Sequence, residues 1–448
     1  MPPIDDHPLR YALANELHAR PFPALEAPCH AVYLAIKQPN DAANRDRAAD
    51  RAHLLALLNR HGTAHPAPDA THFFGQIGRH SVKWESHTEF VTYTAFTQGV
   101  MARPFDPAKA DVFPDDWLAE APGPRFTSVL IRVDHMPENE DSIKTMLADW
   151  FVAESMACAR VLDGAAIAAC DFRIDEAGHM RMAVFVQPGT SPRRIGRIVQ
   201  RLCEIETYKS MSMLGLARAR ALAPRMGEID QQLTGLIGTM SHDARPSEDS
   251  LNDLLEVSAE LETLLVNSSF RFGATGAYEA LVNQRITVLR EERFEGRQTF
   301  AEFMMRRFDP AMRTVKSAEK RLQAMSDRAM RAGELLRTRV DVERSAQNQK
   351  LLQSMDRRAD LQLRLQHTVE GLSVVAISYY AVNLMAYLVY PLTEPLGVAK
   401  GTATAVLTPL VVVAVFMAIR RIRDKMEGSG FLKGRLRSSV CLIFSHFA

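Results

Sequence analysis

Two long uncharged runs near the end of the chain constrain its fold more than any other feature. They cover residues 371–390 and 402–419, and neither contains a charged residue. Each is about as long as the roughly 20 residues that a helix needs to cross the core of a bilayer. The connector between them, PLTEPLGVAKG, is too short to form a domain. We therefore expect a transmembrane hairpin, with a buried hairpin of a soluble protein as the alternative.

Basic residues flank both runs and predict the orientation of the hairpin. The connector carries only Lys400 against Glu394. Because basic residues concentrate on the cytoplasmic side of a membrane, both ends of the chain are expected to face the cytoplasm of a bacterium, with the hairpin in the inner membrane and the lipid bilayer as its partner. The flanking basic residues are Arg357, Arg358 and Arg364 before the first run and Arg420, Arg421, Arg423 and Lys425 after the second.

Charge, the start of the chain and the cysteines limit the class of protein. The 54 basic and 53 acidic residues give no general attraction to nucleic acid, so no nucleic-acid partner is expected. The first residues, MPPIDDHPLRYAL, lack the apolar segment of a secretory signal. The cysteines are few and scattered without a CxxC pair, which favours reduced thiols over disulfides or a zinc site. They are Cys29, Cys158, Cys170, Cys203 and Cys441.

Residues 1–226 mix strand and helix patterns and predict an α+β cytoplasmic domain with a mainly antiparallel sheet. Helices are expected at 42–60 and 141–153, and a third begins after Ser191, where Pro192 can take its first position. The clearest hairpin joins 165–174 to 179–186 through the turn sequence DEAG. Further strands are expected at 30–36, 81–85, 89–96 and 126–133.

Residues 227–367 lose the strand pattern and predict a stalk of long helices. Helices are expected at 248–270, 278–308 and 311–367, with breaks at the glycines of 273–276 and at Pro310. The last helix carries a weak heptad seam that must pack against the preceding helices, against other copies, or both. The seam consists of Val315, Ala318, Leu322, Met325, Ala329, Ala332 and Leu336. The hairpin then occupies 368–425, and the tail 426–448 is expected to be disordered or interfacial.

The soluble part offers no catalytic motif. The chain contains neither GxxxxGK[ST] nor HExxH nor GxSxG. His61 and His65 have a metal-ligand spacing, but Gly62 and Pro66 disfavour a helix there, so loop histidines are the preferred interpretation. The arginines at 193, 194, 197 and 201 are attributed to the polar face of an amphipathic helix rather than to an anion site. We expect no enzyme activity, no metal and no cofactor.

The first uncharged run contains a stripe of small and hydrogen-bonding residues at alternating spacings of three and four. Such a stripe lies on one helix face and avoids lipid, so it should face protein or water. It either packs helices together or lines a pore. The stripe consists of Ser373, Ala376, Tyr380, Asn383, Tyr387 and Tyr390.

Four segments carry a resemblance to a known family. They are HPLRYALANELHARPFPAL, KWESHTEF, EIETYKSMSMLGLARAR and the long run from QNQKLLQSMDRRAD to SYYAVNL. With these segments the chain resembles a bacterial membrane-anchored family described as domain of unknown function 3422. The resemblance extends to about Lys425 and implies no catalytic residues.

The order of the regions is also similar to that of the CorA-type magnesium channels. This architectural likeness implies a pentamer whose first span lines a pore. The Gly-Met-Asn motif of those channels is absent after Tyr387, which counts against magnesium selectivity. The sequence therefore predicts a non-enzymatic homo-oligomeric scaffold or interaction protein at the membrane. A CorA-like cation channel without the selectivity motif, and an enzyme with its site in the histidine-rich first 90 residues, are the alternatives.

Overall fold

The computed structural model describes residues 4–16, 22–107, 112–240, 247–393 and 400–441. It divides into two compact units, Met1–Leu336 and Arg337–Ala448. The boundary falls inside one long helix, so each unit is described by itself.

The first unit is built on a nine-stranded sheet in the order β2-β3-β4-β1-β5-β8-β7-β6-β9. The β5–β8 pair is parallel and the other pairs are antiparallel, so the predicted mainly antiparallel sheet is confirmed. The strands are β1 (Cys29–Ile36), β2 (His72–Ile77), β3 (His80–Ser86), β4 (Val91–Gln98), β5 (Arg125–His135), β6 (Ala157–Val161), β7 (Ala166–Ile174), β8 (Met180–Val186) and β9 (Glu292–Arg293).

The described helices have well-formed starts where the sequence supplies caps. The Asp46 side chain accepts a hydrogen bond from the Ala48 amide at the start of α2, and Thr299 with Glu302 forms a capping box on α7. The helices are α1 (Arg10–Glu16), α2 (Arg47–Arg60), α3 (Asp115–Ala119), α4 (Asp141–Trp150), α5 (Pro192–Met240), α6 (Ser247–Thr287), α7 (Phe300–Arg307), α8 (Asp309–Thr393) and α9 (Lys400–Cys441).

Two hydrophobic cores lie on opposite faces of the sheet, because successive side chains of a strand point to opposite faces. In β1, Tyr33 and its alternate neighbours enter a core shared with α5, α6 and the start of α8. Leu34 and its neighbours enter a second core shared with α2, α3 and α4. A sheet covered on both faces positions residues from distant segments against one another.

The predicted break in the second long helix is wrong. α6 runs without interruption through Gly273 and Gly276, and it packs along α5. At their contact, a Cβ on Gly215 would lie 2.3 Å from the Thr275 hydroxyl, so glycine permits a close crossing. The predicted helix over 278–308 is also wrong, because α6 ends at Thr287 and β9 intervenes before α7.

The heptad seam of α8 is buried within the chain. Leu322 and Leu336 are each 1% exposed and share a core with residues of α5 and α6. The sequence allows this seam to pack against the preceding helices or against other copies of the chain, and in the structure it packs against the preceding helices. The seam is therefore not a free surface for another copy. The predicted break at Pro310 is confirmed, because α7 ends at Arg307 and α8 begins at Asp309, with Pro310 at its second position.

The second unit contains the C-terminal part of α8 together with α9. Within the described residues, two helices are long and apolar enough to cross a membrane, by length and composition. α9 continues past Gly428 to Cys441, so most of the predicted tail is helical. The connector residue Glu394 lies outside the described residues.

Candidate functional site

A polar cavity of about 230 Å³ lies between the sheet and α5 in the first unit. Its floor is formed by Tyr33 of β1, Lys83 and Glu85 of β3, and Thr92 and Thr94 of β4. These residues meet because of strand register: Lys83 pairs with Thr94, and Thr94 pairs with Tyr33 in the next strand. Alternation along each strand then directs all five side chains to the same face of the sheet.

The roof of the cavity is one face of α5. Gln200 and Glu204 lie four residues apart, as do Cys203 and Thr207, and a four-residue spacing places helical side chains on the same side. Thr207 also contacts the floor directly, because its hydroxyl lies 2.6 Å from the phenol of Tyr33. Tyr208 continues the same wall. The cavity is thus closed by a strand face and a helix face that are far apart in sequence.

A chain of alternating charges crosses the cavity. The Lys83 ammonium donates to the Gln200 side-chain carbonyl at 2.9 Å and lies 3.1 Å from a carboxylate oxygen of Glu85. Gln200 in turn donates to Glu204 at 2.7 Å, and the Arg285 guanidinium binds the other oxygen of Glu204. The Lys83 side chain is only 6% exposed. Two cations and two anions therefore leave this buried network close to neutral.

A second ion cluster supports the cavity from behind. Glu89, nearly fully buried, is bound by Arg271, receives a 3.2 Å hydrogen bond from the Tyr278 phenol, and lies 3.9 Å from the Lys37 ammonium. Tyr278 stacks on Tyr208 with ring centroids 5.7 Å apart. Burial, with Glu89 adding to it, raises the pKa of the Tyr278 phenol. The cluster fixes the aromatic wall of the cavity.

The chemistry of the cavity favours binding over covalent reaction. Burial raises the pKa of the Cys203 thiol and of the Tyr33 phenol, so both stay protonated at neutral pH and neither is an activated nucleophile. Burial likewise raises the pKa of Cys29 to about 12. Within the described residues, no group of three or more His, Cys, Asp or Glu side chains could hold a metal ion.

Three of the histidines and arginines noted in the sequence, His65, Arg194 and Arg201, have ordinary hydrogen-bonding partners. His65 lies 2.6 Å from the Asn59 side chain, next to His61 at the end of α2. Arg194 donates to the Leu162 carbonyl and Arg201 to the Val288 carbonyl, so these arginines do not converge. His87, which lines the cavity, stacks on Phe90 with ring centroids 4.4 Å apart.

Most of the stripe of the first span is exposed. Tyr380 is 73% and Tyr387 81% exposed, and Asn383 and Ala376 are exposed as well. Ser373 is half-buried, and the side chain of Tyr390 lies outside the described residues. The buried side of this helix instead carries Ser378, at 5% exposure.

The predicted membrane-flanking basic residues are exposed wherever they are described. Arg357, Arg358, Arg364, Arg420 and Arg421 all reach solvent. The side chains of Arg423 and Lys425 lie outside the described residues.

A larger cavity, of about 820 Å³, opens on the opposite face of the sheet. Its lining is mostly apolar but includes Asp115, Arg125, Ser128 and His179. The Ser128 hydroxyl donates to the Tyr33 carbonyl at 2.9 Å and lies 2.8 Å from Nδ1 of His179. Pro107, in its wall, borders residues 108–111, which lie outside the described part of the chain. The smaller polar cavity is therefore the better-defined candidate site.

Most of the chain matches the model of a protein family. A family model with the description "Protein of unknown function (DUF3422)" matches residues 5–426, which include the polar cavity, α8 and both apolar spans. No curated protein matches the chain.

Proposed function

The chain belongs to the DUF3422 family of unknown function, and from this premise we propose that it is a membrane-anchored, non-enzymatic scaffold whose copies associate through α8. One observation carries the proposal. Residues 344–369 of α8 are exposed on every side in the described chain. A helix without tertiary contacts is marginal in water, because packing of an apolar face supplies most of the stability of helices in proteins.

The exposed part of α8 carries the apolar side chains that such packing requires. Six of them lie between 55% and 67% exposed: Leu351, Leu352, Met355, Leu361, Leu363 and Leu365. Apolar surface gathered on one element indicates an interaction site more than scattered single residues do. A partner that covers these side chains would stabilise the helix.

A second copy of the chain is the partner that the span favours. α8 continues into the first apolar span, where Tyr380, Asn383 and Tyr387 are also exposed. Lipid cannot satisfy an amide, whereas a neighbouring helix can. Two copies in one membrane share orientation and depth, so equivalent residues of their helices meet at the same height. The apolar side chains and the stripe can thus pair with their own counterparts.

Anchoring in the bacterial inner membrane, with both ends in the cytoplasm, is part of the proposal. It is supported by the two apolar helices and by the exposed arginines on either side of them.

Labelling of Thr393→Cys and Arg423→Cys, in a Cys441→Ser background, tests the orientation. An impermeant thiol reagent outside the inner membrane should modify the first and spare the second. The opposite pattern would overturn the orientation.

The association is tested by charges placed on the exposed helix. Leu352→Asp with Met355→Asp should lower the mass of the detergent-purified full chain, measured by light scattering, because the apolar contact is lost. Gln349→Asp with Gln353→Asp adds the same charge to the same helix and serves as the control. A wild-type chain that is monomeric across the accessible concentration range would refute the proposal.

A cation channel is the second candidate, favoured by the same outward stripe. In a ring of copies, a face that points away from its own hairpin can line a central path. The similarity of the region order to CorA-type channels is associational support. A substitution at Asn383 separates the two candidates and is argued in the Discussion.

A further inference from the structure

We propose that the polar cavity between the sheet and α5 binds a small zwitterion of the amino-acid class. This goes beyond the proposed scaffold function, because the cavity lies in the first unit and its occupancy is measured independently of association. The proposal rests on the size of the cavity, its unused hydrogen-bonding groups, its aromatic wall and its charge balance.

Size restricts the ligand first. A cavity of about 230 Å³ has room for several water molecules. A ligand of the size of a free amino acid fits this space. The walls come from secondary-structure elements of one compact unit, so the space is largely formed in advance.

One side of the cavity offers donors for a carboxylate. The Lys83 ammonium has three N–H donors, and its partners Gln200 and Glu85 use two of them. Thr92 and Thr94 are buried in the cavity floor, and within the described residues neither hydroxyl makes a side-chain hydrogen bond. Lys83 and Thr94 are direct cross-strand neighbours. A carboxylate there would satisfy one ammonium donor and both hydroxyls.

The part of the floor next to these donors suits a cation, because the Glu85 carboxylate lies there, 3.1 Å from the Lys83 ammonium. Glu85 pairs with Thr92 across the strands, and its carboxylate can accept more hydrogen bonds than Lys83 supplies. Phe90 and Tyr208 add aromatic faces to the same wall, and such faces attract ammonium groups. A ligand ammonium group would therefore lie between Glu85 and these rings.

The balance of charge argues for both groups on one ligand. Lys83 and Arg285 already neutralise Glu85 and Glu204. A ligand with a single charge would leave an uncompensated charge in a buried site, which is costly. A zwitterion brings no net charge and supplies one group to the donors and one to Glu85.

The test uses the full chain in detergent and the thermal midpoint of tryptophan fluorescence. The probes are the standard L-amino acids, supplied one at a time at millimolar concentration, beside acetate and ethylammonium. At least one amino acid should raise the midpoint, because a ligand that binds only the folded state stabilises it. No response to any of them, or an equal response to acetate or ethylammonium, would overturn the proposal.

Two variants locate the binding site. Lys83→Met and Thr94→Val should each weaken the binding of the responding amino acid, with a loss of about tenfold or more for Lys83→Met. Thr94→Val keeps the shape of the residue and covers the case in which Lys83→Met fails to fold. Lys316→Met, which removes an exposed ion pair to Glu279, is the control. Unchanged affinity in both cavity variants would place the ligand elsewhere and refute the proposal.

Discussion

Arg45 lies buried against the turn that joins β3 and β4, and it orders that turn through its guanidinium group. One nitrogen donates to the carbonyls of His87 and Phe90 at 2.7 and 3.1 Å, and another donates to Asp50 at 2.7 Å. These bonds hold His87 and Phe90 at the rim of the polar cavity. Arg45 thus helps to shape the site, although it lies at least 41 positions before the residues of this turn.

Arg45→Met should destabilise the first unit by about 3–5 kcal/mol, because it leaves Asp50 as an unpaired buried charge and the turn carbonyls without donors. The three tryptophans, Trp84, Trp117 and Trp150, all lie in this unit, so their fluorescence reports its unfolding. Arg60→Met is the matched control. Its ion pair with Asp116 is largely exposed, so we expect a much smaller loss of stability than for Arg45→Met. Equal losses in the two variants would contradict this view of Arg45.

The buried imidazole of His53 should make the stability of the first unit depend on pH. Its ring lies 3.0 Å from both the Tyr93 phenol and the Trp117 carbonyl, and burial lowers the pKa of the imidazole. The unfolded chain therefore takes up a proton near pH 6.5 that the folded chain takes up only at lower pH. Stability should be fully present above about pH 7 and should fall as the pH drops through 6.5.

His53→Gln should flatten this dependence, because glutamine can donate and accept the same two hydrogen bonds without titrating. The measurement is the fluorescence midpoint of both proteins between pH 8 and pH 5.5. Burial also lowers the pKa of His179, so a smaller slope should persist in the variant. An unchanged slope in His53→Gln would show that His53 does not contribute.

At the scale of elements, the sequence predicted those with strong local patterns. The apolar runs of β1 and β5, the hairpin of β7 and β8, and the start of α5 at Pro192 lie within about two residues of their expected positions. β6 was missed because its buried residues are mostly alanine and cysteine, which carry little strand preference. β2 was missed because it contains Gly75 and an exposed Phe74. β9 has two residues and no detectable pattern.

The false break in α6 has a tertiary cause. Glycine disfavours a helix by about 1 kcal/mol relative to alanine, a cost that packing along α5 outweighs. The polar cavity could not be predicted from the sequence, because it too depends on tertiary contacts. Lys83 and Gln200 are 117 residues apart, and periodicity along the chain does not report such a pairing.

The two parts of α8 should respond differently to charge. Leu322→Asp with Leu336→Asp places carboxylates in the core shared with α5 and α6, at a cost of at least about 2–5 kcal/mol for each leucine. The thermal midpoint of tryptophan fluorescence should fall sharply, or the chain should fail to fold. Leu352→Asp with Met355→Asp, in the exposed part, should leave the midpoint unchanged. A seam variant that keeps its midpoint but loses association would mean that the seam joins copies.

At the scale of the whole molecule, the two uncharged runs of the sequence coincide with the two helices that are long and apolar enough to cross a membrane, whereas the stripe was predicted from residue spacing. Spacing could not tell which side of the first span is exposed. The structure leaves the stripe outward and places Ser378 on the covered side. The outward face is consistent with contacts between copies and with a pore, because both require a surface that the single chain does not use.

Asn383→Leu separates these two roles. If the stripe joins helices, the substitution removes interhelical hydrogen bonds worth about 1 kcal/mol and weakens association of the full chain in detergent. If the stripe lines an aqueous path, leucine creates an apolar constriction that gates by dewetting and abolishes ion flux. We expect weaker association and no magnesium flux in liposomes made with the wild-type chain, since the Gly-Met-Asn motif is absent after Tyr387. Leu384→Ile, beside the stripe, is the control for association. A wild-type divalent-cation flux that Asn383→Leu blocks while association is preserved would establish the channel instead.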